Sequence, residues 1–145
     1  MDLDAIHNRL KAELTGLGLR DIGQVVGLDA VIRAQRPNLP ALYLIPLTEQ
    51  GGDDDTTGDP CPPEMRMFGV IHVLDVRNDT TGAKGAALLK SMRAAVKQAL
   101  IGWVPEAETG EPVWFVGGEL VQFEGDGRLY WSDEFVFKGY FRSAP

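Results

Sequence analysis

Among the 145 residues there is one cysteine, there are two histidines, and no catalytic signature is legible. A single cysteine, Cys61, excludes an internal disulfide and fits a reducing compartment. It has no Cys or His at metal-ligand spacing, and its neighbouring prolines and acids disfavour a thiolate. No Gly-x-Ser-x-Gly, no His-Glu-x-x-His and no nucleophile–base pairing occurs. Apolar runs stay well short of the roughly 20 residues of a membrane span. The opening residues lack a basic region followed by an apolar run, so no secretory signal is expected, and the sequon Asn78-Asp79-Thr80 is read as incidental. Positive charge is also scarce: 14 Lys and Arg stand against 21 Asp and Glu, a net −7 with a pI near 4.7. A nonspecific nucleic-acid binder gains affinity by neutralising phosphates, so that class is disfavoured. The length suits one domain, residues 1–145, with one core.

What is present in excess is acid, and it is concentrated. Between Thr48 and Glu64 lie Glu49, Asp53, Asp54, Asp55, Asp59 and Glu64, with no Lys or Arg. Gly, Pro, Thr and Asp dominate the stretch, so it buries too little apolar area to offset the entropy of ordering. A mobile acidic loop at about residues 48–66 is expected, and long loops in compact domains usually serve a function. Asp53-Asp54-Asp55 offers oxygen ligands, but the run lacks the alternation, central Gly and closing Glu of a calcium loop, so no metal is assigned.

Apolar periodicity places the elements. Leu3, Ile6, Leu10, Leu14 and Leu17 recur at helical spacing, with His7 beside that face as a packed or rim histidine. A short strand at 19–26 and a short helix at 28–35 follow, the latter stopped before Pro37. Ala41 to Leu47 reads as a buried strand. Met67 to Arg77 is apolar on both alternating faces: Met67, Ile71 and Val73 on one, Phe68, Val70, Leu74 and Val76 on the other, with His72 among the second set. Such a strand is central, or meets a helix on one side and a partner on the other. A long helix from about Ala83 to Ile101 follows a turn in which Asp79, Thr80 or Thr81 serves as N-cap. It carries an apolar stripe and a basic stripe, Lys90, Arg93 and Lys97. Two strands at 113–116 and 119–124, broken by Gly117-Gly118, lead through Gly125-Asp126-Gly127 into a last strand at 129–142. There Leu129, Trp131, Phe135, Phe137 and Phe141 point one way, and Tyr130, Ser132, Glu134, Lys138, Tyr140 and Arg142 the other, as in a half-exposed strand. The fold class is α+β: a mostly antiparallel or mixed sheet with the two main helices packed on one face.

Candidate chemistry is thin. Thr81-Gly82-Ala83-Lys84-Gly85 lacks the spaced glycines and Lys-Ser/Thr pair of a phosphate loop, and a helix start explains it. His72 on an apolar strand is a satisfied core histidine, or, in an enzyme or ligand-binding reading, part of a cleft with Asp75 or Glu134. The basic stripe is a solvated helix face, a DNA-phosphate contact, or a surface facing acids of a neighbouring subunit. Tyr130 and Tyr140 are interface candidates, because Tyr is enriched at interfaces.

The layout carries more than any motif. An amphipathic first helix is followed by Pro40-Ala41-Leu42-Tyr43-Leu44-Ile45-Pro46 entering a polar loop. Phe68 to Arg77, the single long helix and the closing hairpin through Gly125-Asp126-Gly127 to Phe141-Arg142 complete it. Nearly the whole chain in this order resembles the tail terminator proteins of long-tailed bacteriophages and related prophage tails, among the minor tail proteins. The resemblance implies a structural, non-enzymatic assembly protein without cofactors. It implies a homo-oligomeric ring, typically a hexamer, that caps the tail tube, stops its polymerisation and offers a surface to the head–tail connector. Genome DNA then passes through the lumen without specific binding, no membrane is involved, and the protein resides in the virion tail after assembly in the host cytoplasm. Another neck or tail-completion role is the nearest variant. In this frame the acidic loop lines the lumen or faces the tube end, some of Lys90, Arg93 and Lys97 lie at or near a subunit boundary, and Tyr130 and Tyr140 are interface residues or, on a monomer, scattered surface aromatics.

Overall fold

The computed structural model describes residues 1–19, 21–33, 39–51, 63–77, 82–123 and 127–140. The elements are α1 (Asp4–Glu13), β1 (Asp21–Gln24), α2 (Leu28–Arg33), β2 (Ala41–Gln50), β3 (Glu64–Asp75), α3 (Ala83–Leu100), β4 (Trp114–Phe123) and β5 (Arg128–Gly139). One five-stranded sheet takes the order β1-β2-β3-β5-β4, with β1 parallel to β2 and every other pair antiparallel. The α+β class therefore holds, and β3 is the central strand.

The two faces of the sheet are covered unequally. On one, Phe68, Val70 and Leu74 of β3 meet Leu3, Ile6 and Leu10 around α1 and Met92, Val96 and Leu100 of α3. Phe135 joins them, stacked on Phe68 at 5.6 Å and edge-on to Phe115 at 5.5 Å. Such aromatic geometries add to simple area burial. Arg9 pins the two helices together: its Nε donates to the Ala99 carbonyl at the end of α3 (3.0 Å), and its guanidinium lies over Trp103. Unpaired carbonyls at a helix C-terminus favour a cation there. On the other face, Val31 of α2 packs against Ala41, Tyr43, Ile45, Ile71, Val73 and Tyr130. The alternation of β3 thus sorts its residues as the sequence indicates.

Several boundaries differ from expectation. The β2–β3 ladder continues to Gln50 opposite Met65, so Glu49 and Glu64 belong to strands rather than to the loop. Backbone hydrogen bonds carry a ladder through polar residues as well as through apolar ones. The N-cap of α3 is Gly82, in the left-handed conformation at φ 77°, with no side-chain cap; the expected caps Asp79, Thr80 and Thr81 lie outside the described residues. The two glycines, which signal a bulge or a turn, mark a bulge: β4 is one strand, with register shifts between Phe115 and Gly117 and between Leu120 and Gln122. The last strand is not half-exposed along its length: Tyr130 and Ser132 are buried on the α2 side. Tyr130 tolerates burial because Arg128 Nη1 donates to its hydroxyl at 3.4 Å, which leaves the ring free to pack. Phe141 and Arg142 lie outside the described residues.

Candidate functional site

The densest polar constellation sits under α3. The alternation of β5 puts Asp133 between Trp131 and Phe135, on the face that α3 covers, and its side chain is fully buried. Three donors converge on its carboxylate. Arg93 from α3 donates through Nε to Oδ2 at 3.0 Å and through Nη2 to Oδ1 at 2.9 Å. His72 Nε2 lies 3.0 Å from Oδ2, and Trp131 Nε1 donates to Oδ1 at 3.0 Å. An ionised carboxylate only accepts, so Nε2 carries the imidazole proton. The Arg93 guanidinium also lies over the Trp131 indole, 4.6 Å from its centre. From β4, Gly118 closes the cluster: a Cβ there would strike the Asp133 carboxylate and stand 2.9 Å from Arg93 Nη2. Only glycine lets the β4 backbone approach this far.

The electrostatics follow from this packing. Burial alone would raise the Asp133 carboxyl, but the hydrogen bonds from His72, Arg93 and Trp131 outweigh it and bring it down to about 2. Burial pushes the His72 imidazole below its ordinary value, against the pull of Asp133, and the Arg93 charge adds to the depression. At neutral pH the cluster is therefore an Arg93–Asp133 ion pair braced by a neutral histidine. A His–Asp couple suggests general-base chemistry, which needs a substrate proton within hydrogen-bond reach. His72 is fully buried, and it lines none of the three surface cavities at Leu14–Leu17 beside α3, at Lys11–Ile22 and at Leu89–Trp131. Nor do the partners expected for a cleft assemble: Asp75 pairs with Arg77 at 2.7 Å, and Glu134 lies on the opposite face of β5. The geometry joins α3 to the sheet.

A second ion cluster closes the other end of β3. Arg66 Nη1 meets Glu106 Oε1 at 2.8 Å, and Arg66 Nη2 donates to the Tyr140 carbonyl at 3.1 Å. Glu106 Oε2 accepts from the Tyr140 backbone N–H at 3.2 Å. Tyr140 is thereby tied down through its backbone, and its side chain is half-buried.

The other residues singled out from sequence are scattered. Glu49 is exposed on β2, its carboxylate 2.9 Å from the Met1 amine, and Glu64 lies 3.8 Å from Arg66. Asp53, Asp54, Asp55, Asp59 and Cys61 lie outside the described residues. The basic stripe is split: Arg93 is committed to Asp133, Lys97 lies over Phe115 at 4.0 Å, and Lys90 is exposed. Tyr130 is a core residue, so the expectation that it faces a partner from the polar side of the strand is overturned. His7 is a rim residue whose Nε2 donates to the Ile22 carbonyl at 2.7 Å. Among the described residues no three His, Cys, Asp or Glu gather as metal ligands, and no helix is long and apolar enough to cross a membrane.

The sequence profile of the family described as phage tail terminator protein matches residues 1–144. The chain belongs to the phage tail terminator family. That makes it a phage tail structural protein, a component of a virion. Among solved structures, a chain from the virion of a native gene transfer agent particle shares the fold: TM-score 0.62 at 18% identity, covering 95% of this chain and 93% of that one. No curated protein sequence matches the terminator described here.

Proposed function

We propose that this terminator forms a homo-oligomeric ring, a hexamer, that caps the end of the tail tube, stops tube-protein addition and presents a surface to the head–tail connector. The match to the terminator family over residues 1–144 carries this reading. A closed ring of identical subunits needs two different, complementary surfaces on each subunit rather than a catalytic cleft. The acidic residues from Glu49 to Glu64 face the lumen or the tube end, where like charge keeps passing DNA from sticking. Lys90, the exposed member of the basic stripe, lies at the subunit boundary, and so does Tyr140. Arg93 and Lys97 reach that boundary only from the positions their contacts within the subunit fix.

Absolute mass by light scattering over a concentration series, with and without tail-tube protein, tests the proposal. A discrete ring-sized species, alone or on tube ends, is the expected result. A monomer that ignores tubes contradicts it.

A further inference from the structure

The side of the sheet opposite α1 and α3 is only half covered. α2 lies over the end built from Ala41, Tyr43, Ile71, Val73 and Tyr130. Beyond it, Thr48, Met67, Val136 and Trp114 stand in register across β2, β3, β5 and β4, with no helix above them among the described residues. Apolar side chains are exposed there: Leu47 at 39%, Met65 at 42% and Trp114 at 59%. A tryptophan left in water beside other large apolar groups marks an interaction surface. Acid borders this surface. Glu134 sits between Gly69 and Gly117 in the ladder, and Glu119 is exposed two residue pairs further on, while Lys138 is already answered by Glu111 at 4.0 Å.

On the other side of the subunit the signs reverse. α3, AKGAALLKSMRAAVKQAL, has four basic residues and no acid. Two of the four, Arg93 and Lys97, are engaged by β4 and β5, which leaves Lys84 and Lys90 exposed. Between Lys90 and Leu88 the outward side of the helix carries the short side chains of Ala83, Ala87, Ser91 and Ala94 together with Lys84 and Gln98, and Leu88 is itself 37% exposed. The surface is shallow, basic and apolar at its rim.

We infer that the open half of the sheet face, centred on Trp114, is the seat for α3 of a second copy of this chain, with Lys90 of the incoming helix meeting Glu134. This deepens the ring reading and rests on it. The two surfaces lie on opposite sides of the sheet, so each subunit gives its helix to one neighbour and its sheet face to the other. Such a contact is heterologous and closes into a ring when its rotation closes. Trp114 supplies the apolar anchor of the boundary, and the charge pair sets its register.

The test uses the full chain with tail-tube protein: wild type, Trp114→Ser, Lys90→Glu, Glu134→Lys and the Lys90→Glu/Glu134→Lys pair, each checked for unchanged thermal unfolding. Trp114→Ser and either single reversal are expected to raise the half-assembly concentration by roughly tenfold or more at low salt, and the paired reversal to restore most of it. Unchanged assembly of the single variants overturns the inference, and so does a paired reversal that rescues nothing. If Trp114→Ser forms rings but no longer binds tubes, the face belongs to the tube protein and the inference falls. A wild type that never assembles counts against the ring itself, which keeps the two failures apart.

Discussion

Under α3, polar groups lie inside the protein; on the open half of the opposite sheet face, apolar groups lie outside it. The first region holds a buried Asp133 with three donors around it, and the second holds an exposed Trp114 and its neighbours. Histidine, aspartate and arginine are residues of catalysis, so the first region has the composition of a reaction site. Buried and bonded to one another, they fix α3 on the sheet, with the His72 Nδ1 left without a hydrogen-bond partner among the described residues. The second region looks inert, yet it leaves Trp114, Met65 and Leu47 in water. For the proposed ring the inversion is expected, because there the contact between subunits would do the work.

Asp133→Ala would leave Arg93 and His72 without their acceptor beneath a helix. Removing one member of a buried ion pair costs about 3–5 kcal/mol, and urea unfolding midpoints should show a loss of that order. Replacing Arg93 and Asp133 together with apolar residues should cost less than Asp133→Ala alone, since no charge is stranded.

Neighbouring glycines give a sharper contrast. A Cβ at Gly118 would collide with the Asp133 carboxylate, whereas one at Gly117 meets nothing within 4 Å. Gly118→Ala should cost about 2 kcal/mol, in the range of overpacking, while Gly117→Ala should change thermal stability by under about 0.5 kcal/mol.

Acid should act through the same cluster. The folded Asp133 carboxyl lies near 2, below its usual 3.8, so the unfolded chain binds its proton first as pH falls. Its stabilisation is complete above pH 4 or so and is lost toward pH 2, about 2 kcal/mol in all. His72 acts in the same direction in a higher window: its folded value is depressed below 6.5, so stability begins to fall as pH drops through the unfolded value. Asp133→Asn should remove the lower part of this pH dependence in denaturant titrations. The smallest effect on folding is expected outside: Trp114→Ser should alter monomer stability by about 0.5 kcal/mol or less, while its effect on assembly is large.

Much of the fold was legible because periodicity reports burial. The spacing of Leu3, Ile6 and Leu10 and the two-sided apolar run of β3 located α1 and the central strand. The cluster was half legible. Asp133 is the one acid on the apolar side of β5, between Trp131 and Phe135, and a carboxylate in that place implies a buried cation. Its partner Arg93 was hidden inside a stripe that reads as a uniform solvated face. The burial of Tyr130 was out of reach, because it depends on α2, a helix of six residues whose placement over the second face no local pattern encodes. For the same reason the open half of that face could not be delimited: which strand residues stay exposed depends on where α2 stops.

Hydrogen–deuterium exchange on the assembled protein, against the unassembled subunit, tests the central claim most directly. The account predicts new protection in β4 from Trp114 to Val116, in β3 from Met65 to Met67 and along the outer side of α3, with the amides around His72 and Asp133 unchanged. Protection that appears around His72 and Asp133 while β4 exchanges as before would contradict it.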